Sequence, residues 1–180
     1  MPDGPHAGRL LVATPDLPDP NFAHAVVLLI EHNDEGAFGV IVNRPSDIPV
    51  ASALPGWEQL AADPPRVFVG GPVQQDGAVA LGRAHAGAAL AKVVLPSVGV
   101  VDLEQDPALA GVDLETVRVF AGYAGWSPGQ LENEIADGGW FVVDAEPADV
   151  FSDDPDDLWR TVLHRQGGVF RTVPEDPSLN

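Results

Sequence analysis

The chain has 180 residues, 45% of them hydrophobic, enough for one domain with a substantial core. Its 9 basic and 27 acidic side chains give a formal charge of -18, and Lys92 is the only lysine, so the positive footprint that a duplex binder needs is missing. Cysteine is absent, which excludes disulfides, thiolate zinc sites, Cys-ligated iron-sulfur clusters and thiol redox chemistry. The start MPDGPHAG shows no basic segment followed by an apolar one, and the aliphatic run 25–30 is too short to span a bilayer; a soluble, cytoplasmic protein is expected.

In chain order, Leu10 to Ala13 predicts a short strand and TPDLPDP a proline-punctuated loop. Ala25 to His32 and Phe38 to Asn43 are β-rich runs joined by Asn33-Asp34-Glu35-Gly36-Ala37, a polar turn containing glycine, and so predict a β-hairpin. Further strands are expected at Val67 to Gly70, Ala78 to Gly82, Val98 to Leu103, Thr116 to Ala121 and Trp140 to Asp144. Many are linked too briefly for helical crossovers, so antiparallel pairing should dominate. Helical signals run weakly from Trp57 to Ala62, strongly from Pro128 to Ala136, and from Pro155 to Gln166 before Gly167-Gly168. The fold class is α+β. The HAGAALA segment near His85 and the ends, about 1–8 and 172–180, are the loosest by composition.

Gly125-Trp126-Ser127-Pro128-Gly129 fits the G-x-S-x-G pattern of serine hydrolases, between an expected strand and an expected helix, with aspartates and His164 downstream. Pro128 opposes that chemistry. The residue after an elbow serine donates its N–H to the oxyanion hole, and proline has none. Proline also holds the residue before it in extended backbone. Local helix chemistry accounts for the stretch: Ser127 as N-cap, Pro128 at the first helical position, Gln130 completing an S-x-x-Q box, Trp126 and Leu131 as a hydrophobic staple, and Glu132 and Glu134 against the helix dipole. No catalytic residue is assigned.

The histidines His6, His24, His32, His85 and His164 lack metal-gathering spacing. Ser152 to Asp157 resembles a divalent-ion loop, but Asp154 as N-cap and Pro155 at the first helical position explain it. No metal or cofactor is expected. Asn43-Arg44-Pro45 and Gly70-Gly71-Pro72 end strands and can place guanidinium and backbone groups at a cleft mouth, although turn chemistry alone also accounts for them. Tyr123 and Trp126, among glycines, are either core residues or the floor of a recognition groove. Asn43, Arg44, Gly70, Gly71, Tyr123, Trp126, Gln130 and Glu134 form the candidate binding set.

In combination, GRLLVATPDLPDPNFAHAVVLLIEHNDEGAFGVIVNRP, VFVGGPV, GYAGWSPGQLENEI, GGWFVVDA and LWRTVL resemble the YqgE/AlgH family from about Gly8 into the final helix. The resemblance implies an α+β fold with a bent, mostly antiparallel, partly barrel-like sheet and flanking helices. The family's function is largely unassigned; some members carry a transcriptional-regulator label. Members often have another residue where Ser127 stands, so the resemblance also implies a dispensable hydroxyl. The leading expectation is a cytoplasmic, non-catalytic binding or regulatory protein that acts through a protein partner, in a groove lined by the NRP, GGP and GYAGW segments. The alternative is an enzyme or small-molecule binder of unknown chemistry.

Overall fold

A computed structural model of the protein describes residues 4–88, 90 and 92–167. The expected loose ends therefore lie largely outside the described residues, as does Gly168.

Strand β1 (Arg9–Ala13) is buried along its whole length because it has a neighbour on each side and a packed layer on each face. Leu10 and Val12 point into one hydrophobic cluster, Leu11 and Ala13 into another. The same alternation continues in β2 (Val26–Asn33) and β3 (Gly36–Ile41), where Val26, Leu28 and Val40 join the first cluster and Val27, Leu29 and Ile41 the second. Apolar residues on both faces are why these strands read as continuous hydrophobic runs rather than alternating ones. The hairpin is tighter than the expected five-residue turn: Asn33 pairs with Gly36, leaving Asp34-Glu35 as the connection.

β4 (Pro45–Pro49) leads into the single turn α1 (Val50–Ala53) and pairs with β5 (Arg66–Val69). The weak helical signal from Trp57 produces only a 3-10 turn, Trp57–Gln59. The long β6 (Val73–Ala84) is followed by β7 (Val93–Leu95) and β8 (Val98–Val101). An unexpected helix, α2 (Pro107–Asp113), follows; the Asp106 side chain caps it by accepting from Ala108 N at 2.9 Å. Seven residues with a central glycine leave little periodicity to read in advance.

β9 (Leu114–Trp126) is the spine, more than twice as long as the strand expected there. One edge pairs antiparallel with β6; the other meets β5 in parallel and then β3 antiparallel. α3 (Gln130–Ala136), β10 (Trp140–Asp144), α4 (Pro147–Val150) and α5 (Leu158–Gln166) complete the described chain. Asp154 does not cap the last helix through its side chain; Pro155–Asp157 forms a 3-10 turn ahead of it.

The result is an α+β fold on a ten-stranded, mostly antiparallel sheet in the order β10-β1-β2-β3-β9-β6-β8-β7, with β4 and β5 branching from β9. The sheet curls until β7 returns to the chain entering β1: a Cβ added at Gly8 would lie 2.5 Å from the Val94 carbonyl oxygen. Inside the curl, α5 packs Leu158, Trp159, Val162 and Leu163 onto the first cluster. Outside it, α3 contributes Leu131 to the second.

Candidate functional site

A cleft of about 580 Å³ opens at one end of the curl. The β2–β3 hairpin tip forms one wall through Asn33, Glu35 and Gly36, and β9 forms the floor from Gly122 to Trp126. The opposite wall is a departure from regular pairing in β6. Val73 pairs with Tyr123 and Ala78 with Ala121, so Gln74 to Gly77 bulge out of the ladder, with Gln74 at φ 48°. A second bulge, between Leu29 and Glu31, brings Glu31 opposite Phe38, and both line the cleft.

Phe38 and Tyr123 meet edge to face at 5.8 Å between ring centroids and rest on the inner hydrophobic cluster. Glu31 and Glu35 supply carboxylates, and no lining residue is basic. Lys92, outside the lining, places its Nζ 2.5 Å from Glu31 Oε1 and 5.9 Å from the Phe38 ring centroid. Glu31, Glu35, Phe38 and Gln74 were missed by sequence reasoning. Glu31 ends an aliphatic run, and only the bulge after Leu29 turns it to the cleft.

The structure divides the expected binding set. Tyr123 lines the cleft with its ring against Phe38. Trp126 lies three residues along the same strand, where strand alternation sends the side chain to the opposite face. Its indole packs in the outer cluster, stacked on Phe22 at 6.1 Å and edge to face with Trp140 at 6.0 Å. Both residues line the cleft, but their side chains leave β9 on opposite faces. Glu134 binds both indoles, accepting from Trp126 Nε1 at 3.1 Å and Trp140 Nε1 at 2.9 Å, while its second oxygen accepts from Gln130 Nε2 at 2.9 Å.

The NRP segment does not line the cleft. Asn43 accepts from Val26 N at 3.0 Å and donates to His24 O at 2.9 Å, and Arg44 donates to Asn21 O and, at 2.7 Å, to Ala23 O. Both residues thereby hold the PNFAH loop against the sheet. Burial lowers the Arg44 pKa from its ordinary value, partly opposed by Asp19. Gly70 and Gly71 cross β9 at contact distance: an added Cβ would lie 2.4 Å from Gly122 O or 2.2 Å from the Tyr123 carbonyl. They permit the crossing and contribute no side chain to the cleft.

Ser127 starts a tight turn, not a helix. Gln130 N donates to Ser127 O at 3.0 Å, and Gly129 adopts φ 78°, ψ -11°, the geometry of a type II turn with Pro128 and Gly129 at its centre. Half of the expected box forms, since Gln130 Oε1 accepts from Ser127 N at 3.0 Å, but the hydroxyl donates to the same amide oxygen at 3.2 Å and does not cap the helix. The capping position falls to Gly129 because the turn delays the helix by two residues. The non-glycine residues of positive φ among the described residues are His24, Gln74 and Ser97, so Ser127 lacks the strained conformation of an elbow nucleophile.

Arg118, in the run TVRVFA, is 2% exposed. It donates to Val150 O at 3.3 Å, Ser152 O at 2.8 Å and Asp63 O at 2.6 Å, and its Cζ lies 4.1 Å from the Phe68 ring centroid. Burial lowers its pKa to about 10, against the pull of Asp63 and Asp153. This guanidinium ties the α4 end and the 63-region to the spine. A lone arginine in an apolar run was the available sequence signal. No group of three or more potential metal ligands occurs among the described residues, and no helix among them is long and apolar enough to cross a membrane.

A curled α+β sheet, sealed by helices on both faces and recessed at its open end, defines the class of domain. The chain belongs to the AlgH-like family (DUF179), whose model matches residues 10–171. It is 50% identical to a UPF0301 protein of Streptomyces avermitilis, covering 96% of this chain and 94% of that one, and 42% identical to one of Mycobacteroides abscessus, covering 97% and 88%. Among solved structures, the crystal structure of protein DIP2367 from Corynebacterium diphtheriae is similar at TM-score 0.90 and 34% identity, over 94% of this chain and 92% of that one. The solution structure of the AlgH protein from Pseudomonas aeruginosa is similar at TM-score 0.70 and 32% identity, over 93% of each.

Proposed function

We propose that this protein is a non-catalytic, cytoplasmic binding protein with a regulatory role, and that it engages a protein partner through the cleft between the hairpin tip and the β6 bulge. The observation that carries this reading is the cleft itself: Phe38 and Tyr123 present aromatic surface beside the carboxylates Glu31 and Glu35, with no basic residue in the lining. Aromatic anchors in a recess with a polar rim are the usual makings of an interface hot spot. The net charge of -18 disfavours direct contact with nucleic acid, so regulation would run through the partner. The absence of cysteine fits a reducing compartment.

Benzoylphenylalanine placed at Tyr123 should crosslink one defined protein in the native cell, while the same probe at exposed Leu109 should not. Equal capture from both positions, or none from Tyr123, rejects the reading. A small-molecule role is the second reading, favoured by the cleft volume of about 580 Å³, which falls in the range of ligand pockets. A thermal-shift screen in which a metabolite stabilises the protein but not its Tyr123→Ala variant would select it.

A further inference from the structure

We propose that the cleft recognises a lysine or arginine side chain presented by a protein partner, and that Lys92 occupies the edge of that site as an internal stand-in. This deepens the reading above and rests on it.

The chain's only lysine sits where a ligand cation would sit. Its ammonium contacts Glu31 Oε1 at 2.5 Å and lies 5.9 Å from the centroid of Phe38, so one carboxylate and one aromatic face, both lining the cleft, already hold a positive charge between them. Carboxylate pairing and cation-π attraction act on the same group there. The cleft lining also includes Tyr123 and Glu35, which repeat the same two chemistries, and it contains no basic residue.

The Lys92–Glu31 pair is also easily exchanged. Its side chains are 48% and 47% exposed, and ion pairs so open to water hold only weakly. An incoming lysine or arginine that also covers Tyr123 makes the contacts Lys92 makes, plus those with the Tyr123 ring and Glu35. Arginine adds a planar guanidinium suited to stacking on Tyr123 and forking onto Glu31.

The test uses a fluorescein-labelled octalysine peptide and fluorescence anisotropy at near-physiological salt. Since a chain of charge -18 attracts any polycation, each variant has a control with the same change of charge. Glu31→Gln should weaken binding about tenfold, as for loss of one charge-assisted contact, whereas Glu104→Gln, at an exposed carboxylate elsewhere, should change it by less than about twofold. Lys92→Gln should strengthen binding at least about threefold more than Arg66→Gln, because only the former vacates the site. Lys92 and Arg66 are half-exposed, so both variants should fold, with unchanged melting temperature as the check. Equal losses from Glu31→Gln and Glu104→Gln, or no gain from Lys92→Gln over Arg66→Gln, overturn the proposal. If the probe at Tyr123 still captures a partner in that case, the cleft remains an interface and only its cation chemistry fails. Octalysine binding of the expected pattern without any captured protein overturns the partner as the source of the cation.

Discussion

Trp126 and Trp140 meet edge to face, ring centroids 6.0 Å apart, and donate their indole N–H groups to the same oxygen of Glu134. The end of β9, the start of β10 and the helix between them are closed into one unit by that carboxylate.

Glu134→Ala leaves two buried indole N–H groups without an acceptor, and should lower unfolding free energy by about 2–4 kcal/mol, from roughly 1–2 for each orphaned donor. Glu134→Gln keeps an acceptor oxygen and should cost less, about 1 kcal/mol. Urea unfolding followed by tryptophan fluorescence distinguishes the two; equal losses would show that the indoles do not depend on this acceptor.

Arg118 carries its charge into the protein and satisfies it with three carbonyl oxygens and the face of Phe68. Arg118→Met should destabilise by roughly 3 kcal/mol because those carbonyls lose their donor. Arg118→Lys should recover little, since a compact ammonium cannot span the three positions or stack on the ring. The pH dependence has a definite sign. The folded pKa is depressed to about 10, below the ordinary guanidinium value, so at neutral pH both states hold the proton and the gap between wild type and Arg118→Met is flat. Above about pH 10 the unfolded state binds more protons than the folded one, and the gap should widen. Chemical unfolding at neutral and alkaline pH measures it.

Ser127→Ala should change stability by less than about 0.5 kcal/mol, because the hydroxyl donates to an exposed amide and caps nothing. Gly129→Ala, at φ 78°, should cost about 1 kcal/mol or more through strain in the turn. Thermal melts compare them directly, and a larger loss from the serine would restore the capping role. A fluorophosphonate probe should leave Ser127 unlabelled.

Gly122→Ala places a methyl 2.5 Å from Gly71 O and 3.0 Å from Val73 O, at a residue with φ 74°. Neither neighbour is a flexible side-chain end, so the crossing of the GGP segment over β9 must open. Loss of soluble expression or a large fall in melting temperature is expected; a melting temperature close to wild type would show that the crossing yields more easily than its spacing implies.

Much of the β framework was legible from local chemistry. Runs of β-branched residues and their bounding Gly, Pro, Asn and Asp positioned β1, the hairpin, β5, β10 and the core of β9. The errors have physical causes. The helix expected from Trp57 stops after one 3-10 turn, and the serine-led helix starts late because Pro128-Gly129 satisfies a type II turn before α3 begins. The candidate site was partly legible: Tyr123 and Trp126 line the cleft, while Asn43 and Arg44 tie down a loop and Gly70 and Gly71 serve a backbone crossing.

Composition alone determined the acidic character and the absence of thiol chemistry, and residue patterning determined where strands and turns lie, because both depend on neighbours a few positions apart. Which face each strand residue takes was decided by the tertiary structure. The bulge after Leu29 turns Glu31 toward Phe38, and the bulge from Gln74 to Gly77 opens the wall opposite them, through register between strands far apart in the chain. Arg118 finds carbonyls 32 to 55 residues away, and Lys92 meets Glu31 across 61 residues. Such pairings follow from how the sheet curls, a property of all its strands together that no short window of sequence contains.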